Sequence, residues 1–402
     1  MSRKIGRVGV IAAWLASATP LLAQTTNFGP YDVDATKPRP TGWTVTPGIA
    51  FAVASDDNVL SRADIDAPVS DYTTIINPRI GLSLNGRFSQ LDASYSGAFL
   101  RYRELDTLNS YDQQASLYAR RQLTKRIMLF ADDSFAIAPT TELVQFVGVP
   151  FVRTGSAIEN VRGGIEVKLS ARTLVSGSYN FEWLRFDANG AFAQQLQGGH
   201  SHGVTGAWRY NLSELTAIVA DYDRQYATVT NTLGTFDIQN ISAGLERRLS
   251  EFVHVFGSLG IARVAVSAYG PARTGPAWRT GIARQFRRAG VDVVYSRSFV
   301  PSYGFGGTLQ NEEVTGRARI PLARRVAAQS SVSWRSNEAL TPGQPNLHSF
   351  WIEGNIGYAW QPWLRIEGFY AGSRQTIDRP GGLVDRRHIG VQIVTSNPVR
   401  IR

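Results

Sequence analysis

From Trp351 to Arg374 the chain reads WIEGNIGYAWQPWLRIEGFYAGSR. Ile352, Gly354, Ile356, Tyr358 and Trp360 fall on one face of an extended chain, and Trp351, Glu353, Asn355, Gly357 and Ala359 on the other. That period of two marks a strand with one apolar side. Gln361 and Pro362 interrupt it, after which Leu364, Ile366, Gly368 and Tyr370 resume one face opposite Arg365, Glu367, Ala371 and Ser373. Proline cannot donate to a ladder, so the interruption reads as the turn of a β-hairpin.

The same short, polar interruption recurs: LNGRF at 84–88, QLTKR at 122–126, LSART at 169–173, NLSEL at 211–215, RLSEF at 248–252, FRRAG at 286–290, PLARR at 321–325 and WQPWL at 360–364. Between hairpins lie longer stretches rich in Gly, Pro, Asn, Asp and Ser, such as 55–71, 136–154, 187–200 and 336–348. Eight short turns and nine long loops make seventeen connections and predict an all-β, antiparallel, up-and-down meander of about eighteen strands. A β-propeller is the rival at this repeat length, but each blade would need four strands and a Gly-His and Trp-Asp signature, which this sequence lacks. A soluble sandwich would also alternate, without a reason for so many Tyr and Trp residues near strand ends.

One face of these strands is charged and the other apolar. Leu91, Ala93, Tyr95, Gly97 and Phe99 oppose Gln90, Asp92, Ser94 and Ser96; Val314, Gly316, Ala318 and Ile320 oppose Glu313, Thr315, Arg317 and Arg319. Strands of about nine to eleven residues cross a bilayer when tilted about 45°, and backbone groups in hydrocarbon must all be paired, so the sheet is expected to close into a transmembrane barrel. About eighteen strands enclose more space than side chains fill. Tyr102, Tyr179, Trp183, Tyr222, Trp334, Tyr358, Trp360, Trp363 and Tyr370 are expected in interfacial belts.

The ends and the composition add a location. Arg3, Lys4 and Arg7 precede an apolar run from Val8 to Ala18 and small residues to Ala23, the layout of a cleaved signal peptide at 1–23. A periplasmic segment at 24–42 and an outer-membrane barrel at 43–402 are expected to follow. The chain has no cysteine, and removing the three signal-peptide cations leaves 39 Lys and Arg against 32 Asp and Glu, a net charge of +7. The basic residues are spread along the chain instead of forming a patch, which argues against nucleic acid as a partner.

The segment FAVASDDNVLSRADIDAPVSDYTTIINPRIGLSLNGRFSQLDASYSGAFLRYRE resembles the β-barrel porin 2 family in its Asp56–Leu60 strand end, its Asn77-Pro78 followed by Gly81–Leu84, and its LDASYSGAFLRYRE strand. The resemblance implies a large outer-membrane barrel of a Gram-negative cell that passes a secreted exopolysaccharide, beside a periplasmic polysaccharide-export lipoprotein. The final NPVRIR departs from the terminal aromatic of many such barrels.

No motif for catalysis, phosphate or a cofactor is present, and the five histidines form no constellation. His200 and His202 share a strand face but lack a third ligand in sequence, so neither a metal site nor an enzyme is expected. The candidates are inward charges: Arg162, Lys168, Arg279, Arg317, Arg319, Arg335 and Arg365, interleaved with Asp92, Glu182, Asp221, Asp223, Glu353 and Glu367. Fixed charges around water select permeants; the same charges paired with each other would brace the wall. TELVQFVGVPFVRTG at 141–155 is too apolar for a solvated tip and is expected to fold inward as a constriction carrying Phe146 and Phe151. FVPSYGFGG at 299–307 presents Tyr303 and Phe305 either to sugar rings or to neighbouring loops. Polysaccharide export leads, with small-solute diffusion and an outer-membrane hydrolase as alternatives.

Overall fold

Inward and outward residues alternate through every spanning strand of the computed structural model, which describes residues 41–141, 147–187, 196–230, 235–266, 272–286, 289–341, 343–378 and 382–401. The first strands are β1 (Gly42–Asp56), β2 (Asp71–Asn85), β3 (Ser89–Tyr102), β4 (Ser110–Gln122), β5 (Ile127–Ala138) and β6 (Ser156–Lys168). Next come β7 (Thr173–Phe186), β8 (Gly199–Asn211), β9 (Thr216–Val229), β10 (Thr235–Arg248), β11 (Val253–Val266) and β12 (Arg273–Gln285). The last are β13 (Gly290–Pro301), β14 (Thr308–Pro321), β15 (Val326–Ala339), β16 (Leu347–Gln361), β17 (Leu364–Ile377), β18 (Leu383–Ser396) and the short β19 (Val399–Ile401). The expected signal peptide lies outside the described residues, as does Phe146.

From β1 to β18 each strand pairs antiparallel with the next, and the ring closes where β1 pairs both β2 and, on its other side, β18 and β19. Gly48 to Asp56 run against Ser396 to His388 of β18, and Trp43 to Val45 against Ile401 to Val399 of β19. The result is an eighteen-stranded closed antiparallel barrel. Closure removes the sheet edge that hydrocarbon does not tolerate.

The eight short turns fall where the sequence interruptions predict them, and four share one device. Thr124, Ser170, Ser213 and Ser250 each follow a leucine, and each side-chain oxygen accepts two backbone N–H groups two and three residues on, at 3.0–3.2 Å. The hydroxyl holds the bend that a free turn would leave to water.

The outer wall is apolar: Ile49, Phe51, Val53, Ile80, Leu259, Ile261, Ile356, Ile389 and Val391 are all exposed outward. Tyr179, Tyr222, Trp334, Tyr358, Trp360, Trp363 and Tyr370 are exposed there too. Tyr102 is a correction, because it is buried and faces inward under the Arg153 guanidinium. Its position, even-numbered on β3 with Asp92, put it on the inner face; the count of aromatics near strand ends ignored that parity.

At the long-loop end the wall is interrupted once in a way that matters. The β12–β13 ladder stops at Trp278 and Arg297, although β12 continues to pair β11 through Pro276 up to Arg273. Pro276 has no N–H to offer. Beyond this point Phe299 lies on Gly275, where an added Cβ would sit 2.7 Å from the ring, and packs with Ile238, Ala262, Val264 and Ala277.

Candidate functional site

The site is the interior, and two loop segments decide its shape at the long-loop end. Residues 147–155, between β5 and β6, leave the wall and reach β17. The Phe151 N–H donates to Gln375 Oε1 at 2.6 Å, and Gln375 Nε2 donates to the Val149 carbonyl at 3.2 Å. Thr141 secures the base, donating to the Pro150 carbonyl at 2.6 Å and accepting from the Val152 N–H at 2.8 Å. Arg153 donates to the carbonyls of Val59 at 2.8 Å and Leu108 at 3.0 Å, tying the segment to two further loops. Counted round the ring, β5 and β17 are six strands apart in eighteen. A chain joining two points a third of the circumference apart runs through the lumen. Phe151 is buried in this segment.

Residues 302–307, between β13 and β14, fold inward from another side. Gly304 and Gln197 exchange backbone hydrogen bonds of 3.0 and 2.8 Å, and Gly304 and Gly307 adopt φ of +85° and +86°, a turn that favours glycine. This hook delivers Tyr303, 0 % exposed, to a nest made by Ala136, Val149, Ile158, Leu184, Ala227, Val229 and Phe236. Gly199 leaves room for the ring, since a Cβ there would lie 2.9 Å from it. The hydroxyl reaches Ser201 and Glu182, and burial, with the Glu182 carboxylate beside it, holds the phenol well above its ordinary pKa. Of the two roles open to Tyr303 in sequence, packing is the one observed; it is not exposed to sugar rings.

Several of the inward charges are paired within the wall. Arg335 pairs with Glu313 at 2.8 Å, and Arg365 with Glu367 at 3.1 Å. Glu367 is 0 % exposed and also accepts from Asn355 at 3.2 Å and Gln392 at 2.7 Å. A carboxylate so enclosed holds its neighbours and meets no permeant. Glu182 is likewise committed to Tyr303. Arg162 sits opposite Asp132 on β5, over the Phe130 ring at 5.3 Å, with Ser178 at 3.4 Å. Arg279 faces Asp221, Arg317 pairs in register with Asp292, and Glu353 lies near Arg317. Asp223 is within reach of Arg162, while Asp92 accepts from Gln90 at 2.8 Å. Lys168 and Arg319 stand on the inner face at the short-turn end. The inner wall carries charges of both signs, with like charges also side by side: Arg79 faces Arg365 and Asp221 faces Glu246.

Sequence reasoning passed over several inner groups. Arg209 of β8 pairs with Glu246 of β10, across β9, with His254 at 3.9 Å. Arg120 lies 3.9 Å from Glu166, and Asp56 with Arg386 forms a buried pair beside His388. Alternation was the available signal, as Arg209 stands between outward Trp208 and Tyr210. Gln375 had no signal. His200 and His202 stand together on the outer face of β8, rings 5.5 Å apart, and among the described residues no group of three His, Cys, Asp or Glu is placed to hold a metal.

No protein-family model matches the chain, nor does any curated protein. Among solved structures it is similar to OccAB3 of Acinetobacter baumannii, at 9 % identity over 89 % of this chain and 99 % of that one, TM-score 0.45. It is similar to OpdO of Pseudomonas aeruginosa at 10 % identity over 89 % and 98 %, TM-score 0.45. The FrpB iron transporter of Neisseria meningitidis follows at 10 % identity over 84 % and 62 %, TM-score 0.44.

Proposed function

We propose that the protein is a porin-like channel of the outer membrane, through which small hydrophilic solutes diffuse without covalent chemistry. The short turns face the periplasm and the long loops the exterior. The observation that carries this reading is the pairing of an apolar outer wall with an inner wall of Arg, Asp and Glu, in a ring that side chains alone do not fill. Charges of both signs offset one another at a distance, so the channel selects weakly by charge. Selection by size falls to residues 147–155 and 302–307, which bridge the exterior mouth.

Exopolysaccharide export, implied by the family resemblance, requires both bridging segments to leave the lumen before a chain passes. Small-solute diffusion needs no such movement and stands first for that reason. Planar-bilayer conductance of the refolded chain, with and without residues 141–154, tests both. A small, weakly selective conductance that rises on deletion supports the channel. Blockade of the deletion variant by added polysaccharide would bring export forward. Silence in both forms, from a folded barrel, would refute the channel.

A further inference from the structure

On the outer face of β9, β10 and β11 a polar row stands directly above an aliphatic surface. Arg224, Gln239 and Arg263 stand in one row across the three strands, in register as Arg224 with Gln239 and Gln239 with Arg263. Adjacent strands are about 4.8 Å apart, so the two guanidinium stems flank the Gln239 amide across about 10 Å. Arg224 grips Asp237 through two contacts of 3.1 and 2.9 Å and lies over the Tyr226 ring at 4.6 Å. Gln239 Nε2 also donates to Asp237, at 3.2 Å, and Asp237 feels Arg263. Two cations and one carboxylate leave the row positive.

Below it the surface is aliphatic. Ile241 opposes Ile261, Ala243 opposes Leu259 and Leu245 opposes Gly257. Leu259, Ile241 and Ile261 are 73, 62 and 61 % exposed, above the other outward aliphatics of the spanning strands. Small Ala243 and Gly257 deepen a trough between them, while Tyr222 on one side and Trp278 on the other stand as walls. Val253 to Ile261 make nine residues from the turn, about the length that crosses the hydrocarbon, so Arg263 emerges where lipid headgroups begin.

We propose that this face docks one phosphorylated lipid of the outer leaflet, its acyl chains along the trough and its phosphate on Arg263, Gln239 and Arg224. A planar guanidinium takes a phosphate through two N–H groups, and an amide beside it adds a third donor. The site rests on the outer-membrane reading of the barrel but not on its conducting anything.

Native mass spectrometry of the refolded full chain in detergent tests it, with an acylated diglucosamine lipid carrying two phosphates, its dephosphorylated form, and inorganic phosphate as competitor. One phosphorylated lipid per barrel is expected, bound about tenfold or more tightly than the dephosphorylated form. The double variant R224Q/R263Q should lose that preference, and R247Q, outward at the other end of β10, should keep it. Equal binding of both lipids, unchanged binding by the double variant, or full displacement by inorganic phosphate at equal concentration would each overturn the proposal. Heat-shifted gel mobility confirms the barrel in every variant. Conductance without lipid preference sinks the docking site alone, and lipid preference without conductance sinks the channel alone.

Discussion

Replacing Tyr303 by alanine removes the anchor on which the two inward segments meet. The ring is fully buried in one apolar cluster with Val149 of one segment and wall residues from β5, β6, β7, β9 and β10. Truncating a buried aromatic costs about 3–5 kcal/mol. The barrel ladder does not depend on this residue, so the loss falls on docking of the segments, and at about 1.4 kcal/mol per factor of ten it shifts that equilibrium by roughly two to three and a half powers of ten. Single-channel recording should then show longer openings and a larger mean conductance. Y303F keeps the ring and withdraws only the hydroxyl from Glu182 and Ser201, a cost of about 1–3 kcal/mol, so it should sit between wild type and Y303A. The phenol's pKa is raised by docking, so its contribution is complete below the ordinary value of about 10 and lost as pH climbs through the raised one. Openings should therefore be insensitive to this group from pH 5 to pH 9. A Y303A barrel that keeps its heat-shifted gel mobility and the wild-type conductance would refute the idea that these segments restrict the mouth.

Q375L breaks both hydrogen bonds that hold residues 149–151 to β17; noisier openings are expected, at a docking cost of about 1–3 kcal/mol per unmade bond, read in the same recordings. E367L removes the buried ion pair with Arg365 and should cost about 3–5 kcal/mol, seen as a lower urea midpoint of the heat-shift assay with conductance preserved in the folded fraction. D56A likewise removes the buried ion pair with Arg386 at the long-loop end of β1, and the R386M/D56L double variant should recover much of the loss on the same midpoint. H200A/H202A changes only the outer face, so conductance and ion selectivity should match wild type; a change would move those side chains to the permeation path.

Much of the barrel was legible because its signals are local. A leucine followed by Ser or Thr at 124, 170, 213 and 250 closes a turn with its own hydroxyl, and parity along a strand sends Arg162 inward and Val161 outward whatever the neighbouring strands are. The apolar character of 141–155 likewise announced a loop that avoids water. Tertiary structure alone decided what each inward residue meets. Gln375 and Phe151 are 224 positions apart in sequence and become partners only when eighteen strands close at β1. Closure brought Tyr303 to the far wall beside Glu182, enclosed Glu367 among Arg365, Asn355 and Gln392, and set Arg224, Gln239 and Arg263 in one row. Periodicity assigns a side chain to a face at every second residue, whereas contacts between strands depend on register and ring closure, which no single strand encodes.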